Sequence, residues 1–275
     1  MGNILATTTL YVFKYLPKTT IDAFVGLAPP PVTSANSNIQ ALYDKALAYL
    51  GSGSNVFLNS RVLIIDRSGP RVLVAILTPS GPKLISAKKL LVAIQPKAST
   101  LQGIGLDLTL AGTNIFQQFN NSYYYDIIIK NSGIPSNLSV TNIDINAPLG
   151  IPALPGLYSF FPAPIVGYTK AYYSSPSSQT DAKVKAETLA ALAKIRLANG
   201  LPSTGTPEIV GFNNHQPFWL TVPLSKIGSG FYAQLNGLQG RKNTWWTGAT
   251  FVAHDSTAIW TWSDNTLLPG LKGSL

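Results

Sequence analysis

The 275 residues suffice for one large domain or two ordinary ones with a substantial buried core. Apolar residues make up 45% and charged ones 11%, yet no apolar run is long enough to span a bilayer; the stretches at 90–94 and 127–129 have strand length. The net charge is +9, but the 20 Lys and Arg are scattered, with Lys88-Lys89 and Arg241-Lys242 the nearest things to clusters, which argues against nucleic acid and suits anionic small molecules or surfaces; the absence of Cys excludes disulfides, thiolate metal sites and thiol nucleophiles.

The first 16 residues lack the basic start and small-residue cleavage pattern of a secretory signal, and Ala6 stands where a myristoylation site carries Ser or Thr. The compartment is not legible. Residues 10–24, broken at Pro17, predict short helices before Pro29-Pro30-Pro31. Helical spacing of Ile39, Leu42, Tyr43, Ala46, Leu47 and Leu50 predicts a helix over 36–50, capped by Ser37 or Asn38 and closed by Gly51. From residue 55 the period changes to that of strands: VFLNSRVLIID, RVLVAILT and GPKLISAKKLLVAI form a meander separated by Gly/Pro turns. Strands follow at 123–130 and 157–161, and an Ala/Leu/Lys helix at 181–198 stops at Asn199-Gly200. The remaining expectations are strands at 208–213 and 219–222, a helix at 224–238, and a last helix at 257–268 ending at Pro269-Gly270. The fold class is therefore α+β or α/β with a meander and a mixed sheet.

The ending NTWWTGATFVAHDSTAIWTWSDNTLLPGL reads as an apolar strand, a Gly turn, a polar loop and a helix whose first turn can stabilise negative charge. The same residues also read as plain core, since four tryptophans carry a large packing payload. Tyr123 and Tyr125 share one face of their strand and form either an aromatic wall or a half-buried sheet face. His215 lines a pocket or sits as a structural imidazole; no metal-ligating partner stands at useful spacing. His254 beside Asp255 makes no triad with any Ser, which leaves a hydrolase unsupported.

The order NIQALYDKALAYLG, NVFLNSRVLIID, ISAKKLLVAIQPKA, PEIVGFNNH and GLQGRKNTWWTG resembles the C-terminal part of the flavin-containing amine oxidoreductases, especially their fungal branch. The resemblance implies FAD as cofactor. It assigns Val62 to the adenine end, Ala93, Ile94 and Pro96 to a turn beneath the cofactor, and Thr247, Gly248 and Ala249 to the flavin edge. Ser256, Thr257 and Ala258 would begin the helix whose positive end points at the flavin pyrimidine. It also implies that 51–97 and 241–275 are a partial FAD-binding domain and that 1–50 and 98–240 bind a small-molecule substrate. Tyr123, Tyr125 and His215 are the catalytic candidates. The run of tyrosines contains no lysine matching the one many amine oxidases place near the flavin.

One departure matters. No strand–G-x-G-x-x-G–helix turn for the pyrophosphate occurs, and Gly51-Ser52-Gly53 lies between a helix and a strand in the wrong order. Three readings stay open: a truncated FAD-linked oxidoreductase, its missing half supplied by another chain; a flavin-free relative that binds, isomerises or cyclises an apolar molecule; and an inactive fragment.

Overall fold

Pro17 has no N–H to continue a helix, so the opening stretch divides into α1 (Thr9–Tyr15) and α2 (Lys18–Phe24). The computed structural model describes residues 7–30, 32, 34, 36, 38–51, 55–201 and 205–275. Ser37, Pro31, Ser52 and Gly53 lie outside the described residues. α3 (Gln40–Leu50) starts where Asn38 Oδ1 accepts the Ala41 N–H at 3.2 Å and ends at Gly51, φ +82°.

The meander is β1 (Arg61–Asp66), β2 (Val72–Thr78) and β3 (Gly81–Ala87), antiparallel in that order. Alternation buries Val72, Val74, Ile76 and Thr78 on one face. The third expected strand breaks at Lys88-Lys89. Its end, β4 (Leu90–Val92), leaves the meander and pairs in parallel with residues 244–246. Two helices that sequence periodicity left as loop follow, α4 (Ala98–Gly103) and α5 (Leu110–Phe116); at six and seven residues they are too short to show a helical repeat.

Next come β5 (Asn120–Lys130), β6 (Val140–Thr141), β7 (Gly156–Pro162), β8 (Tyr168–Ser175), α6 (Asp181–Ala198) and β9 (Glu208–Thr221), with the sheet ordered β6-β7-β8-β5-β9. β8 is unexpected from sequence, because its small and hydroxyl residues dilute the apolar alternation that buries Thr169, Ala171 and Tyr173. A single β9 replaces the two strands expected on either side of His215. Its polar Asn213-Asn214-His215-Gln216 centre is exposed side-chain chemistry on a backbone that is strand throughout.

α7 (Leu224–Gly228) and α8 (Phe231–Asn236) divide the single expected helix at Gly230, φ +83°. β10 (Thr244–Trp246) leads to α9 (Ser256–Trp262), a π-helical turn at Ser263–Leu267 and α10 (Leu268–Gly273). The helix thus overruns the expected stop at Pro269-Gly270. Pro269 lies in the first turn of α10, where its missing N–H costs little, and Gly270 packs under Trp245, whose ring a Cβ would approach to 2.8 Å.

The chain falls into two compact units: Asn120–Leu220 with Thr7, and Thr8–Phe119 with Thr221–Leu275. In the first, α6 covers one face of the sheet. Val184 and Leu192 pack with Tyr125, Ile127, Ile129, Phe160 and Tyr173 into a core of fully buried side chains. No helix among the described residues is long and apolar enough to cross a membrane.

Candidate cofactor cleft and substrate face

In the unit containing the meander, β4 and β10 pair Leu90 with Thr244, Leu91 with Trp245 and Val92 with Trp246. The Thr247 N–H continues the ladder to Val92 O at 3.0 Å. That pairing lays Thr247-Gly248 beside Ala93. Gly248 has φ +112°, and only Ala93 O, at 3.8 Å, comes near the position a Cβ would occupy. Val62, Ala93 and Ile94 line one open cleft of about 460 Å³ with Ser60, Arg61 and Ile104. The β4–β10 pairing therefore sets Thr247 and Gly248 beside Ala93, and the cleft brings Val62, Ala93 and Ile94 together. Pro96 is buried below the turn, and the neighbouring Gln95 Oε1 is buried with no hydrogen-bond partner among the described residues. Ala249 follows half-buried. The cleft, the bare Gly248 backbone and the orphaned Gln95 oxygen suit a planar polar ring system such as a flavin.

α9 is arranged differently. Ser256 and Thr257 are exposed and Ala258 is half-buried, but Asp255 Oδ1 accepts the Thr257 N–H at 3.0 Å and Oδ2 the Ala258 N–H at 3.3 Å. Two of the amides that would face an anion are already satisfied by a carboxylate of this chain. Asp255→Ala is expected to lower stability by about 1 kcal/mol, whereas Asp255→Ser keeps a cap and most of that stability, as thermal unfolding would show.

Behind this terminus, Lys14 donates to Thr250 O at 2.9 Å and lies 5.1 Å from the Tyr232 ring centroid. The His254 N–H donates to Lys14 O at 3.0 Å, and its ring centroid is 5.8 Å from that of Tyr15. Burial lowers the Lys14 ammonium to about 8. Burial, aided by the nearby Lys14 charge, lowers His254 from 6.5 to about 4. Between those two pH values the unfolded chain takes up a proton that folded His254 refuses, so stability falls as pH drops from 6.5 towards 4. The loss should total roughly 3 kcal/mol and be much reduced in His254→Gln. The His254 imidazole resonance should titrate near 4, which NMR reads directly.

In the other unit the structure separates the tyrosine run. Tyr125 is fully buried; its hydroxyl donates to Gln179 O at 3.0 Å and accepts from Gln216 Nε2 at 3.1 Å. Tyr123 packs against the same core. Both stand on the face that α6 covers. The opposite face carries the aromatic surface: Tyr124 has ring centroids of Phe218 at 5.1 Å and of Tyr172 and His215 at 5.7 Å, and Tyr172 has that of Phe161 at 5.6 Å. His215 is exposed at its edge. Sequence reasoning missed Tyr124, Tyr172, Phe161 and Phe218; the alternation of β5 was the signal, but choosing the face requires knowing where α6 packs.

No protein-family model matches the chain. FAD-dependent oxidoreductase pigF of Monascus ruber is 34% identical over 280 residues, covering 100% of this chain and 59% of that protein. FAD-dependent oxidoreductase oblC of Cochliobolus heterostrophus is 34% identical over 282 residues, covering 100% of this chain and 58% of that protein. Among solved structures, a CLA-producing fatty acid isomerase from P. acnes superposes with a TM-score of 0.70 at 17% identity, over 96% of this chain and 58% of the other. The chain thus shares its fold with a little over half of that structure. Over its whole length the chain is similar to these fungal FAD-dependent oxidoreductases, and it spans about three fifths of their length.

Proposed function

We propose that the chain forms the flavin-edge, adenine-edge and substrate-binding parts of an FAD-linked oxidoreductase. When bound, FAD supplies the acceptor for a hydride leaving a substrate C–H bond. Val62, Ala93, Ile94, Thr247 and Gly248 would hold it, with Pro96 supporting the turn. Ala249 and the Ser256-Thr257-Ala258 turn flank that group. The aromatic face around Tyr124 would carry the substrate, with His215 at its rim and Tyr123 and Tyr125 supporting the sheet from the core side. This reading assigns the cofactor to the unit of Thr8–Phe119 and Thr221–Leu275, and the substrate to that of Asn120–Leu220. The convergence of Val62, Ala93 and Ile94 on one cleft is the observation that carries it.

The pyrophosphate-binding part would come from a further polypeptide segment or a partner chain. Two apolar surfaces support this. On the outer face of the meander Ile64, Leu73, Leu77 and Leu84 are exposed, Ile64 by 61% and Leu84 by 70%, and α3 buries none of its residues despite Leu42, Tyr43 and Leu50.

Equilibrium dialysis against FAD tests the assignment. The chain should bind FAD, and Ala93→Glu, at an exposed cleft position, should weaken binding about tenfold or more without changing the thermal transition. Equal affinity of the two proteins would remove the cleft from the site.

A further inference from the structure

The aromatic face holds one atom that its own packing leaves unsatisfied. Asp126 stands on β5 two residues beyond Tyr124 and directly opposite Tyr172 of β8, so all three side chains belong to one face. Asp126 Oδ1 is buried and accepts no hydrogen bond among the described residues. The ion pairs of the described residues, which join Lys18 to Asp22, Arg67 and Lys242 to Asp107, and Lys183 to Glu187, do not include it. A buried carboxylate oxygen without a donor is unfavourable, and native structures seldom leave one without a ligand, water or functional reason. Tyr124 and Tyr172 add π surfaces on the same face.

We propose that this face binds a planar aromatic or conjugated ring bearing an O–H or N–H group, the ring lying against Tyr124 and Tyr172 and the donor reaching Asp126 Oδ1. The inference rests on reading this face as the substrate surface and narrows the substrate class to donor-bearing rings. A hydrogen bond to an ionised acceptor is stronger than a neutral one, so a matched ring lacking the donor binds more weakly by about tenfold or more. Asp126 is a binding residue in this scheme, and its orphaned oxygen costs stability when no ligand is present.

Phenol and anisole, which differ in one methyl group on the oxygen, are the probes. Each is titrated into the full chain while the two histidine imidazole resonances are followed by NMR at constant pH. His215 lies on the face beside Tyr124, and His254 lies in the other compact unit as an internal control. Phenol should shift His215 and leave His254 unmoved, and should bind about tenfold or more tighter than anisole. Asp126→Leu should abolish that preference while unfolding at the same or a higher temperature. Asp126→Asn, which keeps the shape and removes the charge, should reduce it and serves if the Leu variant fails to fold. Equal binding of phenol and anisole, a preference that survives in folded Asp126→Leu, or one that is undiminished in folded Asp126→Asn, would overturn the proposal. Because FAD takes no part in the readout, a chain that ignores FAD but prefers phenol would contradict the flavin reading alone.

Discussion

Gly105→Ala is expected to destabilise the meander-containing unit by about 3 kcal/mol or more, a large fraction of the stability of an ordinary domain. Gly105 has φ +68°, and a Cβ there would stand 2.4 Å from Leu63 O and 2.8 Å from Ile64 Cα. Both obstacles are backbone, so no side-chain rotation relieves them. The close approach exists because Gly105 O accepts the Ile65 N–H at 3.0 Å, tying β1 to the segment after α4. That tie also holds Val62 of β1 near Ile104 at the cleft. Gly103→Ala is the control: a Cβ there meets nothing within 4 Å, and the φ is not positive. Denaturant midpoints should fall sharply for the first variant and hardly move for the second, and FAD affinity should follow the first.

Arg67→Met should cost about 3 kcal/mol, because it removes one partner from a buried ionic network. The Arg67 side chain is only 4% exposed; its Nε bonds Asp107 Oδ1 at 2.6 Å, its Nη2 donates to Asp107 O, and its Nη1 donates to Thr244 Oγ1 at 3.0 Å. Asp107 keeps Lys242 at 2.8 Å on its other oxygen, so the aspartate is not left wholly unpaired. Burial alone would raise the Asp107 carboxyl, but hydrogen bonds from Lys242 and Arg67 outweigh it and hold it below its usual 3.8. This contribution is present above pH 3.8 and is lost as pH falls through the lower folded value. Thr244 is the first residue of β10, which positions Thr247 and Gly248 against Ala93, so the same variant should also weaken FAD binding. Arg67→Lys should recover only part of both properties, since an ammonium cannot fork between Asp107 and Thr244. Equilibrium unfolding of the three proteins decides the point.

Local chemistry made much of this architecture legible. Pro17, Gly51 and the Gly/Pro turns of the meander punctuate the chain where the sequence says they should, and α6 matches its expected bounds because Ala, Leu and Lys favour helix throughout it and Asn199-Gly200 ends it. The elements that escaped are those whose identity depends on partners. α4 and α5 are too short for periodicity, β8 is polar enough to pass for a loop, and β4 is a strand by virtue of pairing with residues more than 150 positions away. The same limit applies to the site. Alternation along β5 puts Tyr123 with Tyr125 and leaves Tyr124 facing away, but only the packing of Val184 and Leu192 decides which face becomes core. Asp126 carried no signal in the sequence, since an orphaned oxygen is a property of its surroundings.

The absorption spectrum of the purified chain with added FAD, compared with free FAD, addresses the central claim most directly, because flavin bands respond to the surroundings of the ring. Shifted and better-resolved bands, retained through gel filtration with the folded protein and lost in Ala93→Glu, are the predicted result. A folded chain that leaves the FAD spectrum unchanged at saturating cofactor would contradict the account.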